Sequence, residues 1–205
     1  MDNAKLYKPQ KMKYFLVIDQ GTSSTRAILF DEKFAVVNVS QTEFKQFFPK
    51  DGWVEHDANE IFDTVISCIK DVMTKSKTTY KEIIAIGITN QRETCLLWDK
   101  EGNPLGKAIV WQDRRTAELC NNFKKEGLDK TINQITGLLA DPYFSGTKLS
   151  WLLDNTGTPK DFYMGTIDTF LVWKLTDGRS YFIDATNASR TCLLYTSPSP
   201  RDNGR

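Results

Sequence analysis

The apolar pattern changes period once, near residue 57, and that switch limits the folds open to the chain. Before it, residues 14–19 (YFLVID) form a short apolar run rich in β-formers, closed by Gly21. Residues 26–30 (RAILF) read as a second strand, followed by the polar turn Asp31-Glu32-Lys33. Residues 35–44 alternate Val37, Val39 and Thr42, which suits a third. Three consecutive strands with tight connections predict an antiparallel meander. After the switch, Asp57 and Glu60 have capping-box spacing, and Ile61, Val65, Ile69, Val72 and Met73 recur at helical spacing. Residues 83–89 (IIAIGIT) are a continuous apolar run, expected to form a strand covered on both faces. Two further strands, 94–98 and 108–111, flank the turn signal Glu101-Gly102-Asn103-Pro104. Helices are expected over 114–125, around 128–136 and over 147–154, then a strand-rich piece over 162–175. A meander followed by alternating strands and helices predicts an α/β layered domain over residues 14–191, with a mixed sheet.

Composition narrows the function classes. With 27 Lys+Arg against 26 Asp+Glu the net charge is +1, which gives no electrostatic footprint for nucleic acid or an anionic membrane. The apolar run 15–18 is too short to span a bilayer, so no membrane insertion is expected. Residues 1–13 are polar with four lysines and lack a secretory apolar region; they read as a disordered leader. Four dispersed cysteines and one histidine make a Cys/His zinc site or a disulfide framework a poor fit, and the expectation is a cytoplasmic chain with reduced thiols. The tail 196–205 (TSPSPRDNGR) cannot bury anything, and residues 192–205 are expected to be disordered.

Four segments carry candidate chemistry. In Asp19-Gln20-Gly21-Thr22-Ser23-Ser24-Thr25-Arg26 an acid closes a buried strand, then come a glycine, four hydroxyl residues and a cation. Hydroxyls, turn N–H groups and a guanidinium suit phosphate oxygens, and Asp19 suits Mg²⁺, directly or through water; a polar β-turn accounts for the same residues. In residues 89–94 (TNQRET), Arg92 offers forked donors and Glu93 two acceptors, a match for vicinal hydroxyls; a solvated hairpin with a surface ion pair is the alternative. Trp111, ending an apolar strand, is suited to wall a polyol's carbon chain or to sit in the core. Tyr143, in the Gly/Pro-punctuated loop 137–148, is suited to bond a substrate hydroxyl or to cap the core. The lone His56 is expected to be structural, since no second metal-type residue lies at ligand spacing.

Taken together these segments resemble the FGGY carbohydrate kinase family. The words are DQGTSSTRAI at 19–28, PKDGWVEHD at 49–57, IAIGITNQRET at 84–94, AIVWQDRRTAE at 108–118, TGLLADPYFSGTK at 136–148, GTIDTFLVWKLT at 165–176 and ATNASRT at 185–191. The NQRET and IVWQDRR words are those of members that phosphorylate glycerol. The resemblance implies an actin-like ATPase fold of ribonuclease-H-type domains and ATP-dependent transfer of phosphate to the 3-hydroxyl of glycerol, with ATP and Mg²⁺ as cofactors. It implies that Thr22, Ser23, Ser24 and Arg26 contact ATP phosphates, that Asp19 serves the metal, and that Arg92, Glu93, Trp111 and Tyr143 hold glycerol. It also implies a homo-oligomer for the full-length protein.

The family's general base is an aspartate in a Gly-Asp-Gln word of a second domain, and this sequence contains no such word. The adenosine-binding segments are missing as well, and the family pattern is expected to stop after Thr191, where 193–202 (LLYTSPSPRD) resembles a translated adapter. The expectation is an N-terminal fragment, inactive alone, with a truncated, non-native tail. A non-catalytic module that binds glycerol or phosphate, or lends a surface to a partner, is the competing reading.

Overall fold

The computed structural model describes residues 12–157 and 160–193. Apart from Met12, Lys13, Cys192 and Leu193, the expected leader and tail lie outside the described residues. Contacts among the described residues divide into two compact units, residues 12–43 with 64–89 and residues 44–63 with 90–157 and 160–193.

The first unit holds the meander. Strands β1 (Tyr14–Gln20), β2 (Ser24–Asp31) and β3 (Val36–Glu43) pair antiparallel, and β6 (Ile83–Asn90) completes a sheet in the order β3-β2-β1-β6. Alternation fixes which side chains turn inward: Tyr14, Leu16, Ala27 and Leu29 pack with Cys68 and Val72 of helix α1 (Ala58–Lys75). Each of Leu16 and Leu29, 2% and 0% exposed, contributes about 1.5–3 kcal/mol through burial. Asp57 starts α1 by accepting from the amides of Asn59 and Glu60. The expected reciprocal half of that box differs: the Glu60 carboxylate takes the Lys45 N–H instead, at 2.9 Å.

The structure corrects the reading of residues 83–89. The run is a strand, but Ile84 and Ile86 are 51% and 52% exposed, because β6 is an edge strand. The side of the sheet carrying Phe15, Val17, Phe30 and Ile86 forms an open apolar groove of about 440 Å³.

The second unit is built on a sheet in the order β4-β5-β8-β7-β9, from β4 (Gln46–Phe47), β5 (Glu55–His56), β7 (Cys95–Trp98), β8 (Ala108–Ile109) and β9 (Tyr163–Thr166). Helices α2 (Ala117–Lys125), α3 (Leu128–Thr136) and α4 (Ser145–Asn155) stand where helical spacing places them. Leu149 and Leu152 of α4 cover Cys95, Leu97 and Ile109. The strand-rich piece over 162–175 is corrected to one strand followed by helix α5 (Ile167–Leu175). Its β-formers mislead because α5 is buried almost all round, with Ile167, Phe170, Leu171 and Trp173 inside, so it lacks the polar stripe that marks an amphipathic helix. A short helix α6 (Ala185–Ala188) follows, capped by Asp184.

Candidate functional site

In the first unit the turn between β1 and β2 brings the phosphate-type residues together. Gly21 N–H donates to Ser24 O at 2.9 Å, and a Cβ on Gly21 would lie 3.2 Å from that oxygen, so the turn is tight. The turn leaves Ser23 exposed and Thr22 and Ser24 half-buried, with Ser24 Oγ accepting from Gln41 Nε2 at 3.0 Å. Asp19 and Arg26 face each other in the β1–β2 register and form an ion pair of 3.0 Å. Both remain partly in water, with side chains 30% and 47% exposed. Hydroxyls with one exposed guanidinium fit anionic oxygens, and a single carboxylate fits Mg²⁺, which takes one or two from a protein and the rest of its shell from phosphates and water. Among the described residues no cluster of three or more His, Cys, Asp or Glu is present that would make a metal cage by itself.

In the second unit the polyol-type residues converge on a cation that the sequence reading did not single out. Glu93 is 2% exposed and adopts a left-handed backbone, φ 66°, uncommon for a residue with a side chain. Its carboxylate accepts from Arg190 Nε at 2.7 Å, and its carbonyl accepts from the buried Ser145 Oγ at 3.1 Å. The Glu93 hydrogen bond holds the Arg190 guanidinium above its ordinary pKa. The Arg190 guanidinium also lies 5.5 Å from the Tyr143 ring and 4.9 Å from that of Phe144. Tyr143 in turn meets Trp111 edge to face at 5.6 Å. Glu93, Arg190, Tyr143 and Trp111 are therefore one continuous set of contacts, with both rings half-buried. Arg92 is exposed and stands outside that set. Arg190 lies inside the word at 185–191, and no local pattern marks it: its partner is 97 positions away.

Several neighbours prove structural. Asp113, 0% exposed, receives Val54 N–H at 2.7 Å and both Nε and Nη2 of Arg115, which also reaches Glu55 and lies 3.7 Å from the Trp53 ring. With the Arg115 side chain 2% exposed, this network is turned inward and holds the core together. His56 is 0% exposed, bonds Gln91 Nε2 through Nδ1 at 3.2 Å and packs its ring edge-on to Phe44. Burial lowers its pKa to about 4, so it is neutral at pH 7. A largely apolar groove of about 410 Å³ runs between Leu149, Thr166, Tyr181, Ala188 and Leu193. A small polyol needs hydroxyl partners, and that groove supplies few.

The chain is similar to known proteins. The FGGY family of carbohydrate kinases, N-terminal domain, matches residues 14–197, six residues past the end of the family words. Over 189 residues the chain is 58% identical to a glycerol kinase of Rhizobium meliloti (strain 1021), and over 188 residues 53% identical to one of Petrotoga mobilis. These matches cover 89% and 88% of the chain but 38% of each relative, so the chain spans well under half of their length. Among solved structures, a Plasmodium falciparum glycerol kinase with ADP superposes with a TM-score of 0.83 at 37% identity, covering 90% of this chain and 38% of that one. A gluconate kinase from Lactobacillus acidophilus superposes with a TM-score of 0.81 at 25% identity, covering 90% of this chain and 37% of that one. The architecture is that of the actin-like sugar kinases, and the chain belongs to the FGGY family of carbohydrate kinases, whose N-terminal domain it carries.

Proposed function

We propose that this chain supplies the glycerol-holding residues and part of the phosphate-contacting residues of an ATP-dependent glycerol kinase that forms sn-glycerol 3-phosphate. The observation that carries the reading is the contact set Glu93–Arg190–Tyr143–Trp111. It places a carboxylate acceptor, a forked donor, a phenol and an indole in one place, the chemistry that a three-carbon polyol requires. Relatives at 53–58% identity that are named glycerol kinase support the same substrate.

In this reading Glu93 accepts from glycerol hydroxyls, Arg92 and Tyr143 bond them, and Trp111 covers the carbon chain. Arg190 keeps the Glu93 side chain aimed through their 2.7 Å hydrogen bond. Specificity comes from pairing hydroxyls, because a substrate so small offers little apolar area. In the first unit, Thr22, Ser23, Ser24 and Arg26 contact ATP phosphates and Asp19 holds Mg²⁺, directly or through water. When bound, the Mg²⁺–nucleotide supplies the phosphoryl group and neutralises charge on its oxygens. The chain's own contribution is orientation, which together with electrostatic stabilisation makes up nearly all of catalysis in phosphoryl transfer. The residue that takes the hydroxyl proton is expected in a Gly-Asp-Gln word outside this sequence, so the chain alone binds without turnover. The free state of all four cysteines supports a cytoplasmic setting, and the full-length protein is read as a homo-oligomer.

Calorimetric titration of the purified chain with glycerol, and with gluconate and xylulose as controls, tests the reading. Heat of binding with glycerol alone is expected, together with no ADP release from ATP plus glycerol. Equal response to all three, or none to glycerol, contradicts the assignment.

A further inference from the structure

Lys148 is the most deeply buried cation among the described residues, 0% exposed, and no carboxylate lies within ion-pair distance of it there. Its Nζ instead donates to three consecutive backbone carbonyls, Pro142 at 3.0 Å, Tyr143 at 2.6 Å and Phe144 at 3.0 Å. An ammonium has three donors, and all three are used. Burying a cation is costly, and a side chain wanted only for packing would be a methionine or leucine. What the lysine achieves, and an apolar residue does not, is convergence of three carbonyls on one point.

That point governs the neighbours. With the 142–144 carbonyls turned inward, the Tyr143 ring meets Trp111 at 5.6 Å. Tyr143 N–H is held by Asp141 Oδ1 at 2.8 Å. Ser145, the next residue after the clamped segment, donates to the carbonyl of Glu93 at 3.1 Å, and Glu93 needs that support because its backbone is left-handed. Lys148 thus fixes one segment that touches both a ring and an acid of the site, without facing the ligand itself.

We propose that Lys148 is a positioning residue of this site: its ammonium locks residues 142–144 in the arrangement that sets Tyr143 against Trp111 and Ser145 against Glu93. The assignment of those residues to glycerol rests on the reading above; the clamp itself does not. Burial lowers the lysine's pKa, and the three carbonyl acceptors are the partners that the protonated ammonium has in place of a carboxylate.

The test compares the chain with Lys148→Met and Lys148→Ala by residue-resolved amide exchange and glycerol titration. In Lys148→Met, exchange over 143–146 is expected to rise by about tenfold or more and glycerol affinity to fall by about tenfold, with β7 amides unchanged. In Lys148→Ala, n-propylammonium, which replaces the deleted atoms with their charge, is expected to restore both, and 1-propanol is not. Unchanged exchange over 143–146, or a rise spread equally over β7, overturns the proposal. Should Lys148→Met fail to fold, the contrast between propylammonium and propanol on Lys148→Ala decides it. Should the parent chain bind no glycerol, the glycerol reading fails by itself, and the exchange data still decide the clamp.

Discussion

Arg190 Nε stands 2.7 Å from Glu93 Oε1, joining residues 97 positions apart, with the Glu93 side chain 3% exposed and that of Arg190 30%. Removing the cation leaves a buried carboxylate uncompensated, which in a fully buried pair costs roughly 3–5 kcal/mol and here, with Arg190 at the rim, about 2–3 kcal/mol. Urea unfolding of Arg190→Met should show that loss, and adding Glu93→Gln should recover part of it. Additive losses would mean the two residues do not act as a pair.

His56 gives the acid limb of stability a specific owner. Its folded pKa of about 4 lies below the ordinary 6.5, so the unfolded chain binds more protons between those values. Stability from this group is therefore complete above pH 6.5 and lost as pH falls through 4, by about 3 kcal/mol in all. Asp168, whose pKa burial raises, acts with the opposite sign, so the clean quantity is the difference between the parent and His56→Gln. That difference should shrink from pH 7 to pH 4; a pH-independent difference would remove His56 from the account.

Asp113 and Arg115 predict a stability defect without a ligand-specific one. Asp113→Ala leaves the buried Arg115 guanidinium with Glu55 alone of its two carboxylates and strands the Val54 amide, and a loss of about 2–4 kcal/mol is expected in denaturant unfolding. Of the cations near Trp111 in sequence, Arg115 is held in the core, whereas Arg114 lies at the surface in a pair with Asp141. Arg114→Ala is accordingly expected to cost less than about 1 kcal/mol.

Two glycines with the same left-handed backbone should respond differently to alanine. Gly102 has φ +82° and a Cβ there would lie 2.2 Å from Trp173 Cζ3, whereas Gly127 has φ +74° with nothing within 4 Å. Gly127→Ala is expected to cost about 1 kcal/mol from backbone strain, and Gly102→Ala about 2–4 kcal/mol as overpacking adds to it. Equal melting shifts would contradict the packing shown around Trp173.

Local signals carried the parts of the fold that local physics decides. Alternation in β1 and β2, the Asp57 cap and the helical spacing of Ile61, Val65, Ile69 and Val72 were legible because each depends on near neighbours. The exposure of Ile84 and Ile86 was not, since a continuous apolar run looks alike at an edge and in the middle of a sheet. Helix α5 looks like a strand in the sequence because a helix buried all round has no polar stripe to mark its period. In the proposed site, Glu93, Trp111 and Tyr143 were candidates by residue type alone. Arg190 and Lys148 were not: one is defined by a partner 97 positions distant, the other by backbone carbonyls that no side-chain pattern announces.

On the proposed reading, glycerol sits against Glu93, Arg190, Tyr143 and Trp111. A residue-resolved NMR titration of the chain with glycerol tests it most directly. Saturable shifts are expected at the Glu93 and Tyr143 amides, the Arg190 Nε–H and the Trp111 indole, abolished by Glu93→Gln. Shifts confined to the groove between Leu149 and Leu193, or shifts that survive Glu93→Gln, would contradict it.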